Sequence, residues 1–296
     1  MIQRLVMVLA MTGAAHLGLG AQTATVHVGD ASINYELQGK GPVVVLIHGW
    51  AQDLTIWDDQ VAALSPNYRV LRYDRRSYGS STGHADPTAD PDDLRILLDS
   101  LKIPSAIVLG LSAGARTALS FAVAFPERLS ALILYGSGPP VGFQPMPPEP
   151  ASNPRFDIAK NYGLDSLRKW VEGTGFHWEP PNNPGYRRRV DRMWSRYDGR
   201  DLLDRRPPSG RIAPPRMDDL AKVRVPTLII VGDHERSLLR LVADTLARRI
   251  PNARHVVIPD AGHGIHFAQP QRFNAALLEF LTSVSRAAGS PSPVRE

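Results

Sequence analysis

Four stretches of this chain are almost wholly apolar, and each runs into a glycine or another turn-forming residue. Val43–Ile47 reads VVVLI, residues 106–109 read AIVL, Leu129–Tyr135 reads LSALILY, and residues 227–231 read TLIIV. Continuous apolar runs of this length predict strands covered on both faces. Weaker strand patterns lie at 68–73 and 254–258. Residues 23–28 and 32–37 alternate apolar and polar about a Gly29-Asp30 turn, the pattern of two half-buried strands. Helical periodicity occupies 55–64, 91–101, 113–125, 238–250 and 271–285. Strand and helix therefore alternate, which predicts an α/β fold with a mostly parallel central sheet and helices on both faces. Ligands of such sheets gather beyond the carboxyl ends of the strands.

The alternation stops between residues 136 and 226. This segment holds 15 of the 26 prolines and has helical patches at 158–172 and 187–196. It reads as a helical cap insertion over the sheet edge, because 22–135 and 227–288 continue one strand–helix series on either side of it. Its aromatic residues Phe143, Phe156, Trp170, Phe176, Trp178 and Trp194 either line a pocket or form a small core of the insert. Residues 151–225 carry 16 Lys and Arg against 10 Asp and Glu, whereas the whole chain is only +5. That excess suggests a preference for substrates bearing negative charge. The run Arg187-Arg188-Arg189 is interleaved with Asp191, Asp198 and Asp201 and reads as a solvated helix face, not a nucleic-acid surface.

With 296 residues, 43% of them hydrophobic and 21% charged, the chain can bury a full core. It contains no cysteine, which excludes disulfides, thiolate metal sites and a cysteine nucleophile. At the start, Arg4 precedes an apolar run from Leu5, and small residues lead to Ala21. This reads as a secretory signal peptide cut after Ala21, although Leu19 is large for its position, so the protein is expected to be secreted or periplasmic. No membrane association is expected once the leader is removed. The tail, 289–296, reads as flexible.

The chemistry-bearing residues stand where the strands end. Gly110-Leu111-Ser112-Ala113-Gly114 follows one strand and opens a helix of small and apolar residues, a G-x-S-x-G turn in a strand–turn–helix setting. So sharp a turn strains the serine and demands small neighbours, here Gly110 and Gly114. Gly232-Asp233-His234-Glu235 ends a later strand, and Ala261-Gly262-His263 follows the last. A serine, an acid and a histidine thus converge on one sheet edge in that chain order. His234-Glu235 also begins an H-E-x-x-H pattern, but Leu238 occupies the fifth place and the zinc reading fails.

With the His48-Gly49-Trp50 turn and the 73–81 loop YDRRSYGSS added, these motifs resemble those of the α/β-hydrolase superfamily over nearly all of the chain after residue 21. The resemblance implies Ser112 as nucleophile, His263 as general base, and the backbone N–H groups of Ala113 and Trp50 as an oxyanion hole. It implies Glu235 as the acid, three residues past Gly232, with Asp233 as the alternative. His48 is expected to brace its loop, and His234 and His266 are weaker candidates for the base. The expected activity is that of a carboxylesterase-like serine hydrolase, acting on small esters, lactones or thioesters without metal or cofactor. Alternatives of the same fold are carbon–carbon bond hydrolysis, perhydrolysis and a non-catalytic ligand-binding role. A serine at the elbow disfavours dehalogenase and epoxide-hydrolase chemistry, which use a carboxylate there. Oligomeric state is not legible.

Overall fold

A computed structural model describes residues 22–146, 154–174, 180–181, 183–204 and 206–289. The leader, the last seven residues, and Phe176 and Trp178 lie outside the described residues. The strands are β1 (Gln22–Val28), β2 (Ala31–Gln38), β3 (Val43–Ile47), β4 (Arg69–Tyr73), β5 (Ala106–Leu111), β6 (Leu129–Tyr135), β7 (Thr227–Gly232) and β8 (Ala253–Ile258). They form one sheet in the order β1-β2-β4-β3-β5-β6-β7-β8. The β1–β2 and β2–β4 pairs are antiparallel and all the others parallel. The hairpin at one edge is where the alternating pattern left one face uncovered, and the continuous apolar strands occupy the middle. Every residue of β5 and β7 is buried.

The helices are α1 (Asp58–Leu64), α2 (Asp90–Ser100), α3 (Ala113–Ala124), α4 (Pro154–Gly173), α5 (Pro184–Arg196), α6 (Arg200–Leu203), α7 (Ser237–Arg249), α8 (Ile265–Ala268) and α9 (Pro270–Gly289). Two apolar clusters, one on each face of the sheet, make up the core. Among the described residues no helix is long and apolar enough to cross a membrane.

Between β6 and β7 stand α4, α5 and α6. Gly163, at φ 80° and ψ 174°, breaks α4 into two helical pieces, a conformation open mainly to glycine. Leu167, Val171, Tyr186, Val190, Met193, Trp194 and Leu202 join the same apolar cluster as β3, β5 and β6. Of the aromatic residues expected either to line a pocket or to form a core in the insert, Phe143 and Trp194 are core residues, while Trp170 stands exposed. Arg187 and Arg188 lie at the surface, and Arg189 pairs with Asp59 at 2.6 Å. Two short elements, α6 and α8, were not expected, since a single turn of helix carries too little periodicity to register.

Candidate active site

The turn after β5 holds Ser112 at φ 54° and ψ −111°, outside the regions an L-residue adopts freely. Two sets of backbone bonds hold it there. Ser112 N–H donates to the Tyr135 carbonyl at the end of β6 (2.9 Å), and the Ser112 carbonyl accepts from Ala115 and Arg116 N–H (both 3.1 Å). Neither flanking glycine can grow a side chain. A Cβ on Gly110 would overlap the Gly114 carbonyl, and one on Gly114 would overlap the carbonyls of Ile47 and His48. The loop after β3 also crosses the serine closely: a Cβ on Gly49 would stand 3.3 Å from the Ser112 Cβ.

Beyond β7 and β8 the second half of the site assembles. Glu235 Oε2 accepts from His263 Nδ1 at 2.5 Å, and both side chains are almost fully buried (1% and 4% exposed). The other Glu235 oxygen, Oε1, accepts the Arg236 N–H at 2.8 Å. Burial works to raise the Glu235 carboxyl, but the charge and hydrogen bond of His263 outweigh it and hold the group below its ordinary value. With Nδ1 donating to the carboxylate, a neutral His263 carries its lone pair on Nε2. Asp233 has a different task. Its backbone N–H donates to Ile258, and its Oδ1 accepts from Ala261 N–H at 3.1 Å, which ties the His263 loop to the end of β7. Gly232 has no room for a Cβ, because the Ala261 carbonyl lies against it.

One residue pair links serine and histidine, and the sequence reading missed it. Tyr135 accepts from Ser112 N–H through its carbonyl and donates its hydroxyl to the His263 carbonyl at 2.6 Å. A Cβ on the next residue, Gly136, would stand 2.9 Å from His263 Cε1. The available signal was a lone phenol at the end of a strand whose only other polar residue is Ser130.

The other histidines are committed elsewhere. His48 Nε2 accepts from Arg75 N–H at 2.9 Å while its Nδ1 donates to the Gly49 carbonyl at 2.8 Å, so it has no lone pair to offer as a base. Burial and the charge of Arg75 pull its pKa down to about 3. Since the Tyr135 hydroxyl spends its proton on His263, His266 Nδ1 donates to that oxygen at 3.1 Å. Its ring is buried and packs on Phe267 at 4.0 Å between centroids. His234 is half exposed at the surface.

The segment between β6 and β7 meets the loop after β3 at Trp50. The Trp50 indole donates to Asp201 Oδ2 at 3.0 Å, the Tyr78 hydroxyl to the same oxygen at 2.9 Å, and the Tyr197 hydroxyl to Oδ1 at 2.6 Å. The Arg155 guanidinium sits 4.2 Å above the Trp50 ring centroid, a cation–π contact. Burial raises the Asp201 pKa in spite of its three donors. Trp50, Tyr78, Ala113, Arg155, Asp201 and Leu202 border a cavity of about 270 Å³. Asp201 and Arg155 act on residues far away in the chain, so no local pattern announced them.

A model of the alpha/beta hydrolase family matches residues 44–276. The chain belongs to that family. Its sheet is the α/β-hydrolase fold, and the protein is a hydrolase of that fold. It is 27% identical over 266 residues to a 2-hydroxy-6-oxononadienedioate/2-hydroxy-6-oxononatrienedioate hydrolase of Pseudomonas putida, covering 85% of this chain and 92% of that one. Two solved structures are similar throughout. The enol-lactonase of Burkholderia xenovorans LB400 superposes with a TM-score of 0.71 at 26% identity, covering 88% of this chain and 100% of that one. The thermophilic esterase of Thermogutta terrifontis gives 0.73 at 26% identity, covering 90% and 99%. These relatives are named for different substrates, so family membership alone does not assign a substrate to this hydrolase.

Proposed function

We propose that this hydrolase cleaves small carboxylic esters, or the related lactones and thioesters, through an acyl-enzyme formed on Ser112. The observation that carries the reading is the buried 2.5 Å bond between Glu235 and His263, on a loop tied through Tyr135 and Gly136 to the strained Ser112 turn. In this mechanism His263 Nε2 takes the Ser112 proton as Oγ attacks the carbonyl carbon. The imidazolium is stabilised by Glu235 and returns the proton to the leaving alcohol. Water then enters by the reverse sequence and frees the acid. The Ala113 and Trp50 N–H groups receive the negative charge on the carbonyl oxygen, each contributing about 3–4 kcal/mol to lowering the barrier. The hydrogen bond from Trp50 to Asp201 and the Arg155 cation hold the Trp50 ring, and with it the amide, in place.

The likeness to the Pseudomonas putida enzyme favours carbon–carbon cleavage as a second reading. A panel of p-nitrophenyl esters of increasing acyl length, run beside a lactone, an amide and a 2-hydroxy-6-oxo-dienoate, separates the two. The expected result is a burst of p-nitrophenol followed by steady turnover of short-chain esters. Cleavage of the dienoate with no turnover of any ester or lactone would overturn the proposal in favour of the second reading.

A further inference from the structure

In the helix that begins at the nucleophile, AGARTALSFAVA, the only ionisable residue is Arg116. It stands four residues after Ser112 and donates its N–H to the Ser112 carbonyl at 3.1 Å. That bond places the Arg116 backbone one helical turn beyond the Ser112 carbonyl. The stem of Arg116 lies along the loop after β6, where a Cβ on Gly138 would meet its Cδ at 3.2 Å. The residue is partly covered and partly open to solvent, yet among the described residues it makes no ion pair with any carboxylate. Desolvation by the surrounding protein and repulsion from Arg75 lower its pKa, and Asp90 opposes them only in part. An arginine stays protonated through such shifts, so a full positive charge faces this space.

That space is a cavity of about 220 Å³ bordered by Arg75, Ala113, Arg116 and Thr117. It shares Arg75 and Ala113 with the cavity beneath Trp50, so Ala113, whose amide is placed in the oxyanion hole, forms a wall of both. Arg75 gives its Nε and Nη2 to Asp90, at 2.9 and 2.5 Å, which commits that carboxylate. Its third nitrogen, Nη1, is buried and has no hydrogen-bond partner among the described residues, on a side chain only 6% exposed. A buried donor left unsatisfied is costly, and a bound anion would relieve that cost.

We propose that Arg116 and the Nη1 of Arg75 form a carboxylate-binding subsite beside the nucleophile, so that preferred substrates carry an anionic carboxylate on the acyl group. The assignment rests on Ser112 as the nucleophile. It locates the preference for negative charge at one position on α3 instead of in the overall charge of the cap.

The test compares kcat/KM for mono-p-nitrophenyl glutarate with that for p-nitrophenyl valerate, which has an uncharged acyl group of similar length. The expected ratio at low ionic strength is above about 10, in line with a charge-assisted hydrogen bond, and it declines with salt. In Arg116→Gln the ratio falls toward one, with the change carried by KM, while Arg116→Lys keeps part of it. Arg188→Gln removes the same charge from an exposed position on the cap and keeps the wild-type ratio. A ratio near one in the wild type, or a ratio unchanged in Arg116→Gln, would overturn the subsite. Calorimetric binding of glutarate needs no turnover and separates the two claims. If neither ester is cleaved but glutarate binds about 10-fold more weakly to Arg116→Gln than to the wild type, the ester reading fails and the subsite stands. If glutarate binds both proteins equally or neither, the subsite fails whatever the ester result.

Discussion

Replacing Ser112 by alanine is expected to lower kcat by about 10⁶-fold while leaving the fold intact. The loss is large because no acyl bond can form without Oγ, and His263 and Glu235 then have no proton to move. The fold survives because the Ser112 side chain does not cap α3, so its removal takes no hydrogen bond from the helix. Serine and alanine also meet similar strain at φ 54°. The thermal transition of Ser112→Ala should therefore lie within a few degrees of the wild type. Measuring both quantities on one preparation checks the claim: a folded Ser112→Ala with kcat within 10-fold of wild type would mean that the reacting group lies elsewhere.

Glu235→Gln is expected to lower kcat by about 10⁴-fold. A glutamine amide in place of the carboxylate can donate to His263 Nδ1 and so favour the tautomer that protonates Nε2, the nitrogen that must accept from Ser112. Asp233→Asn should behave differently. Asparagine keeps an oxygen that can accept from Ala261, so the expected cost is at most about 1 kcal/mol of stability with little change in kcat. Paired measurements of kcat and thermal midpoint for the two variants decide the matter. A large loss of kcat in folded Asp233→Asn with near-normal Glu235→Gln would reverse the assignment. The same pair has a pH signature. The Glu235 carboxyl is held below its ordinary value of 4.5, so its contribution to stability is complete above that value and is lost as pH falls through the lower folded value. Glu235→Gln should lack that acid-side segment of the stability curve.

The sheet was legible because its central strands are continuous apolar runs, which few other structures tolerate, and because helix periodicity separates them. The elbow was legible because sterics leave little choice at Gly110 and Gly114, where the backbone of β3 and the start of α3 leave no space for a Cβ. Spacing favoured Glu235 over Asp233 without excluding either. The two differ in where their side chains reach, one to His263 Nδ1 and the other to Ala261 N–H, and that depends on the path of the loop after β7. Asp201 was named only as part of a solvated face, yet it is buried and receives Trp50, Tyr78 and Tyr197. Its bond to Trp50 spans 151 residues of sequence, and a proline-rich segment with weak periodicity gives no register from which such a contact could be read. Arg116 left a trace that could have been followed, a single charge in a helix otherwise made of small, apolar and hydroxyl-bearing residues.

The central claim, that Ser112 is the group that becomes acylated, is tested most directly by intact-protein mass spectrometry after incubation with a fluorophosphonate, followed by peptide mapping. The account predicts a single adduct on the peptide containing Ser112, absent from Ser112→Ala and formed much more slowly in Glu235→Gln. An adduct mapped to another residue, or one that persists in Ser112→Ala, would contradict it.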